Sequence, residues 1–314
     1  MMRTLSFWNG LKKDDRGAAA AIGNFDGVHV GHMAVIDISR RQAVRLNAPL
    51  GIVTFEPHPR EYFSPTAPAF RLMNAETREH RFAKLGVERL YQLPFDALLA
   101  ALSAEEFAKN VLCDGLGLRH VIVGEDFQFG KDRGGDANTL KSFGESFGFD
   151  VTVAKLVRTE GTEVSSTAIR AALADGRPQA AADMLGHWHR IDGEVFGGDQ
   201  RGRELGYPTA NMSINRLHPP KFGVYAVKVD VLTGPHTGSY DGAASVGVRP
   251  TFGENKPNLE TFLFDFSGDL YGEHLSVAFV EYLRDEEKFD SLEALVTTID
   301  DDCARARKIL SEIR

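Results

Sequence analysis

Gly23-Asn-Phe-Asp-Gly-Val-His-Val-Gly-His32 is the stretch whose reading decides the fold. Just before it, Ala18 to Ile22 is an unbroken run of small apolar residues, the pattern of a short buried strand. Just after it, Met33, Ile36 and Ile38 combine with Arg40, Arg41 and Arg45 in the pattern of an amphipathic helix. A glycine-punctuated turn therefore leaves a strand and enters a helix. Such a turn presents free backbone N–H groups and the positive end of the helix dipole, and both favour an anion. Gly23, Gly27 and Gly31 let a phosphate approach the main chain, with Asn24 and Phe25 in the same turn. His29 and His32, three apart, share one face of the first helical turn. Two plainer readings stand beside this one: glycines that serve only tight packing, and histidines that bind metal. No cysteine or further histidine lies close in sequence to complete a zinc set.

Working outward, the chain of 314 residues is long for one domain and suits two. Its 43% hydrophobic and 25% charged content is that of a globular protein with ample core. The net charge is −8, and no Lys/Arg block offers a basic face, which argues against nucleic acid as a partner. Cys113 and Cys303 are far apart and form neither a disulfide framework nor a metal pattern, so they read as reduced core thiols. Met1 to Gly10 lacks an apolar core of signal-peptide length, and no apolar run approaches the ~18 residues of a membrane span. The expectation is a cytoplasmic protein, without a membrane partner, monomeric or weakly homo-oligomeric.

From residue 18 to about 176, short apolar runs alternate with helical patterns. Strands are expected at 18–22, 50–55, 89–93, 120–123 and 151–156, and helices near 32–46, 74–85, 103–113, 136–147 and 165–175. Ser103 with Glu106 makes a capping box. This alternation predicts a parallel sheet wrapped by helices, with ligands beyond the carboxyl ends of the strands. The Gly23 turn sits at such an end. So does Thr54-Phe-Glu-Pro-His-Pro-Arg-Glu-Tyr-Phe63, which reads equally as a plain connection. So does Val123-Gly-Glu-Asp-Phe-Gln-Phe-Gly-Lys-Asp-Arg-Gly-Gly135, where Phe127 and Phe129 can stack on a flat ring or anchor the loop, and Asp126 can accept a hydrogen bond. In Val164-Ser-Ser-Thr-Ala-Ile-Arg170, Ser165 is placed as an N-cap and Gly176 as the glycine past the helix end. Ser166, Thr167 and Arg170 add donors and a cation at that second helix start.

Beyond about 185 strands dominate, expected at 189–196, 223–232, 243–248, 260–266 and 274–283, separated by turn residues. Their spacing predicts a small barrel. Asp290 with Glu293 reads as an acidic capping box opening a C-terminal helix. Gly197-Gly-Asp-Gln-Arg-Gly-Arg-Glu-Leu-Gly-Tyr-Pro-Thr-Ala-Asn211 is not a Walker sequence, and none occurs elsewhere. Its glycines, Gly202 and Gly206 among them, can wrap phosphates. Thr209 and Asn211 offer hard oxygens suited to Mg²⁺, although on the residues alone Pro-Thr-Ala-Asn reads first as a turn. Glu260 shares a strand face with Phe262 and Phe264, where a carboxylate needs a partner, such as Arg249 or Arg203, or a task.

Taken together these strings resemble the bacterial riboflavin kinase/FMN adenylyltransferase (FAD synthetase) family. The likeness runs through GxFDGxHxGH at 23–32, TFEPHPxxxF at 54–63, GEDFxFGKxRxGD from 124, SSTxIR at 165–170 and GxxxGRxLGxPTAN at 198–211. It continues in Gly223-Val-Tyr-Ala226, Gly247-Val-Arg-Pro-Thr251, Leu259-Glu260 and Arg284-Asp-Glu-Glu-Lys-Phe-Asp-Ser-Leu292. Ala168 stands where many members carry Arg. The resemblance implies a Rossmann-like nucleotidyltransferase domain over 1–184 and a six-stranded antiparallel riboflavin kinase barrel with a C-terminal helix over 185–314. It implies ATP, riboflavin and FMN as substrates with Mg²⁺ as cofactor. His29 and His32 would meet the α-phosphate with Gly23, Asn24, Phe25 and Gly31. Ser166, Thr167 and Arg170 would hold the pyrophosphate, and Gly202 and Gly206 the kinase phosphates. Asp126, Phe127, Phe129 and Arg249 would contact flavin, Thr209 and Asn211 would hold Mg²⁺, and Glu260 would be the kinase base. Two other readings remain: a kinase whose first domain only binds nucleotide or flavin, and a flavin carrier without turnover.

Overall fold

The computed structural model describes all residues except 1, 156–157, 160–161, 198–205, 215, 249–256 and 314, with backbone alone at 158–159 and 162–163. The chain divides into two compact units, Met1–Ala67 with Arg78–Val164 and Pro68–Thr77 with Ser165–Arg314.

The first unit begins with β1 (Arg3–Leu5), β2 (Ala19–Ile22), α1 (Val30–Leu46), β3 (Leu50–Glu56) and α2 (Pro59–Phe63). The chain continues through α3 (Ala75–Lys84), which straddles the division, then β4 (Arg89–Pro94), α4 (Ala97–Ala101) and α5 (Ala104–Glu106). The last of these widens into a π-helix over Phe107–Gly115. Then come β5 (His120–Gly124), the hairpin of β6 (Gln128–Phe129) and β7 (Gly135–Asp136), α6 (Ala137–Phe147) and β8 (Asp150–Ala154). A further hairpin joins β9 (Arg158–Thr159) and β10 (Thr162–Glu163).

The sheet order is β1-β4-β3-β2-β5-β8, and every pairing is parallel. Strands of a parallel sheet are covered on both faces, so they read as continuous apolar runs, and β2 is buried along its whole length. The small side chains of Ala19 to Ala21 let α1 lie close, where Ser39 Oγ donates to the Ala19 carbonyl at 2.8 Å. From β2 the chain moves to β3 on one side and later to β5 on the other. The carboxyl end of β2 is therefore the switch point at which such sheets open a crevice. The expected strands and helices of this unit are present, with ends shifted by a residue or two. β1 carried no expectation, because three residues are too few to show a period.

The second unit contains α7 (Ser166–Ala174), α8 (Pro178–Leu185), β11 (Arg190–Glu194), β12 (Ala210–Ser213) and β13 (Gly223–Val231). It ends with β14 (Gly238–Val248), β15 (Pro257–Leu263), β16 (His274–Arg284) and α9 (Leu292–Glu312). The sheet order is β11-β16-β13-β14-β15-β12, antiparallel throughout. The two ends come together where Phe196 N–H donates to the Asn211 carbonyl at 3.0 Å, nearly closing a barrel. The two-residue period sorts β13: Tyr225, Val227, Val229 and Val231 fill the interior, while Ala226 joins the outer cluster with Ala306 and Leu310 of α9. Asn211 is in a strand, so Pro-Thr-Ala-Asn is a strand entry rather than a simple turn. The α9 cap is Ser291, whose side chain accepts from Ala294 N–H at 3.1 Å. The Asp290 expectation was therefore displaced by one residue.

Candidate active sites

At the end of β2, Gly23 N–H donates to the Val53 carbonyl (3.1 Å) and the backbone then turns sharply. Phe25, Gly27 and Val28 have φ of 52°, 87° and 44°. A β-branched residue in left-handed geometry is costly, and such strain persists where the surroundings over-determine it. Here Phe25 supplies the anchor. It is 1% exposed, edge-on to Phe82 at 5.5 Å and tilted against His32 at 5.1 Å. A ligand can thus meet Phe25 only through its backbone. The Asn24 carbonyl accepts from Thr54 Oγ1 (3.3 Å) and Arg78 (3.2 Å).

His29 is the N-cap of α1, and its Nδ1 accepts the backbone N–H of His32 at 3.3 Å. An accepting Nδ1 leaves the proton of the neutral ring on Nε2. The two imidazoles stack with centroids 3.6 Å apart. Burial pushes His29 down to about 4, and burial together with the His29 charge holds His32 well below the ordinary value. Both rings are therefore neutral N–H donors at pH 7. They stand at the positive end of a helix, where charge developing on a phosphate is best met. His32 Nδ1 is buried without a hydrogen-bond partner among the described residues. A Cβ at Gly31 would lie 3.0 Å from His29 Cε1 and Nδ1, which explains the glycine between the two histidines.

The loop after β3 forms α2, capped by His58 and Glu61. It projects Tyr62 and Phe63, the latter 67% exposed, against Phe95 after β4 (5.4 and 5.7 Å). Aromatic contacts continue from Phe95 to Phe55, Phe107, Phe129 and Phe127. Phe129 is buried in the core, Phe127 stacks on it half-buried, and Asp126 is exposed. Sequence reading passed over Tyr62, Phe63 and Phe95. The available signal was aromatic side chains in a proline-rich loop at a strand's carboxyl end.

Ser166, Thr167 and Arg170 belong to the second unit. Ser165 caps α7 by accepting from Ala168 N–H (3.2 Å), and Arg170 donates to Thr167 Oγ1 (3.1 Å) and the Phe70 carbonyl (3.3 Å).

In the barrel, Glu260 of β15 lies directly across from Asn211 of β12 and Ser245 of β14. Directly opposed residues share a face, so these three form one polar row on the outer side of the barrel. Asn211 donates to the Thr209 carbonyl (3.4 Å) and accepts from Asn258 Nδ2 (3.1 Å), so the structure groups Thr209, Asn211 and Glu260. The loop from Gly206 is tied to α9 by Tyr207, which donates to Asp300 (2.6 Å) and meets Phe262 edge-on at 5.4 Å. That hydrogen bond raises the Tyr207 hydroxyl to about 12. Gly206 is exposed with φ of 88°. Gly202, Arg203 and Arg249 lie outside the described residues.

Among the described residues, no three His, Cys, Asp or Glu gather as a metal set, and no helix is long and apolar enough to cross a membrane.

Residues 11–168 match the family described as FAD synthetase, and residues 185–310 match riboflavin kinase. The chain is 46% identical over 301 residues to the bifunctional riboflavin kinase/FMN adenylyltransferase of Pseudomonas fluorescens, covering 95% of each. It is 38% identical over 292 residues to the protein of that name from Escherichia coli K12, covering 93% of this chain and 92% of that one. A solved structure titled macrolide-efflux protein from Streptococcus pneumoniae superposes with a TM-score of 0.82 at 31% identity, covering 96% and 97%.

Proposed function

The chain belongs to the bifunctional riboflavin kinase/FMN adenylyltransferase family, and we propose on that premise that it makes FAD from riboflavin in two ATP-dependent steps. The barrel phosphorylates riboflavin to FMN and releases ADP. The parallel-sheet domain transfers adenylate from ATP to FMN and releases pyrophosphate. The observation that carries this reading is the match of the two halves to two different enzyme families, in a chain whose relatives span the same length. We assign the first activity to residues 185–314 and the second to 1–184.

In adenylyl transfer, the FMN phosphate attacks the α-phosphorus of ATP in line. Negative charge grows on the α-phosphate oxygens, where the neutral N–H donors of His29 and His32 and the Gly23–Gly31 turn meet it. Ser166, Thr167 and Arg170 take the leaving pyrophosphate. Asp126 and Phe127, backed by Phe129 and the aromatic run to Phe63, receive the flavin ring.

In phosphoryl transfer, the Glu260 carboxylate accepts the proton of the flavin's primary hydroxyl as it attacks the γ-phosphorus. Gly202 and Gly206 wrap the phosphates and Arg249 contacts the flavin. Thr209 and Asn211 would hold Mg²⁺, since their oxygens are hard donors beside the buried Asn258 Oδ1, which has no hydrogen-bond partner among the described residues, and the ion would offset phosphate charge. A cytoplasmic location suits the free thiols Cys113 and Cys303. Nucleic acid has no part in this reading, and the enzyme acts as a monomer or weak homo-oligomer.

The test is an incubation of the purified protein with riboflavin, ATP and Mg²⁺, followed by chromatography of the flavins. FAD supports both activities. FMN alone means that the first domain only binds, and unchanged riboflavin means a carrier.

A further inference from the structure

Arg78 is 1% exposed, yet it carries a guanidinium charge. Its guanidinium donates to the Asn24 carbonyl (3.2 Å), the Phe55 carbonyl (3.5 Å), Glu56 Oε2 (2.9 Å) and Gln92 Oε1 (3.4 Å). These acceptors lie at the carboxyl ends of β2, β3 and β4, three adjacent parallel strands. Parallel strands end in carbonyls pointing the same way, and a planar fork with five N–H donors suits that edge better than a point charge. Burying a charge is costly unless it is paired and hydrogen-bonded, and Glu56 supplies the pair. A packing role alone would be filled more cheaply by an apolar side chain.

The contact that gives the arrangement a purpose is the one to Asn24. That carbonyl belongs to the turn between Gly23 and the strained Phe25, two residues that set the path into His29. It is held from two sides, by Arg78 and by Thr54 Oγ1, and Thr54 is itself fully buried. We propose that Arg78 is a positioning residue for adenylyl transfer, fixing the glycine turn and the histidine pair from beneath through the Asn24 carbonyl. The inference rests on the reading of that turn as the α-phosphate site.

Arg78→Lys keeps the charge but cannot span Asn24, Glu56 and Gln92 at once. Thr54→Val is isosteric and removes the second donor to the same carbonyl. Misplacement of reacting groups by about 1 Å costs on the order of 10²-fold. Arg78→Lys should therefore lower kcat for FAD formation by ~10–100-fold, more than it changes KM for ATP, with FMN formation from riboflavin unchanged. Thr54→Val should lower kcat in the same sense and more mildly, and the double variant should lose less than the product of the two. A merely structural role predicts a lower melting temperature with parental kcat below it. A folded Arg78→Lys enzyme with parental kcat for FAD overturns the inference. Should Arg78→Lys abolish FMN formation too, by unfolding the chain, Thr54→Val decides alone, and parental FAD turnover there overturns it. A parent enzyme that makes no FAD refutes the underlying reading instead.

Discussion

The imidazole of His29 lies face to face with that of His32, centroids 3.6 Å apart and planes inclined by 19°, while His29 Nδ1 caps the His32 amide. Two cationic rings cannot sit so close in a buried place, so the stack is an arrangement of neutral imidazoles. It gives the glycine turn two donors whose charge state does not depend on pH near neutrality.

His29→Ala and His32→Ala should each lower FAD formation from FMN by ~10²–10³, the usual cost of a lost donor to developing oxyanion charge. FMN formation from riboflavin should be retained, because the barrel carries its own site. Steady-state rates of the two reactions check this. FAD synthesis at the parental rate in either variant removes that histidine from the chemistry.

The same burial makes the fold acid-sensitive. His29 is held at about 4 in the folded chain against an ordinary value of 6.5. The unfolded chain therefore binds the proton first, and stability falls as pH drops from 6.5 towards 4. The slope is at most ~1.4 kcal/mol per pH unit for one such group. His29→Gln should flatten that part of the curve, measured by urea unfolding between pH 7 and 4.5. His189, pushed down to about 3 by burial in the second unit, adds a similar slope that His29→Gln leaves in place.

Much of this was legible in the sequence because the signals were local. Unbroken apolar runs between helical periods defined the parallel sheet, and Ser103 and Ser165 announced the helices they cap. The stacking of the histidines was not legible, since spacing puts two rings on one face without fixing their tilt or tautomer. The aromatic run from Phe127 to Phe63 escaped because it joins residues after three strands, and only the sheet order makes them neighbours. Pro208-Thr-Ala-Asn211 looked like a turn because Pro208 and Asn211 are turn formers. Pairing with β15 overrides that propensity.

Gly31→Ala separates geometry from stability. Alanine is the better helix former by ~1 kcal/mol, so the first turn of α1 gains. The new methyl, however, meets the His29 ring at 3.0 Å and must push it aside by a few tenths of an ångström. FAD formation should fall by roughly 10-fold while the melting temperature holds or rises, since even sub-ångström displacement is felt in turnover. A variant with parental kcat shows that the ring tolerates the shift.

Residues 165–185 test the domain boundary. α7 and α8 bury Ile169, Ala172, Leu173, Ala181 and Leu185 in a cluster of their own with Leu72. Among the described residues, the barrel interior and the α9 cluster draw only on residues beyond 185. A fragment of residues 185–314 should therefore fold and phosphorylate riboflavin, with a lower melting temperature than a fragment of residues 165–314. If only the longer fragment is soluble and active, the boundary belongs near 165.

Glu260 carries the most specific expectation. Leu259 and Leu263 point into the barrel core, so Glu260 takes the other face, half-buried across from Asn211 and Ser245. Its place in a polar row beside Asn211 and Thr209 puts a carboxylate beside the residues proposed to hold Mg²⁺. Glu260→Gln keeps shape and hydrogen bonding but removes basicity. Loss of a general base predicts a fall in FMN formation of roughly 10²–10⁴, with little change in riboflavin affinity and an unaltered unfolding curve. FAD synthesis from supplied FMN should persist, because the residues proposed for that reaction all precede residue 185. A Gln variant that unfolds, or loses both activities, assigns the carboxylate to structure. One that retains kinase turnover shows that the flavin hydroxyl loses its proton elsewhere.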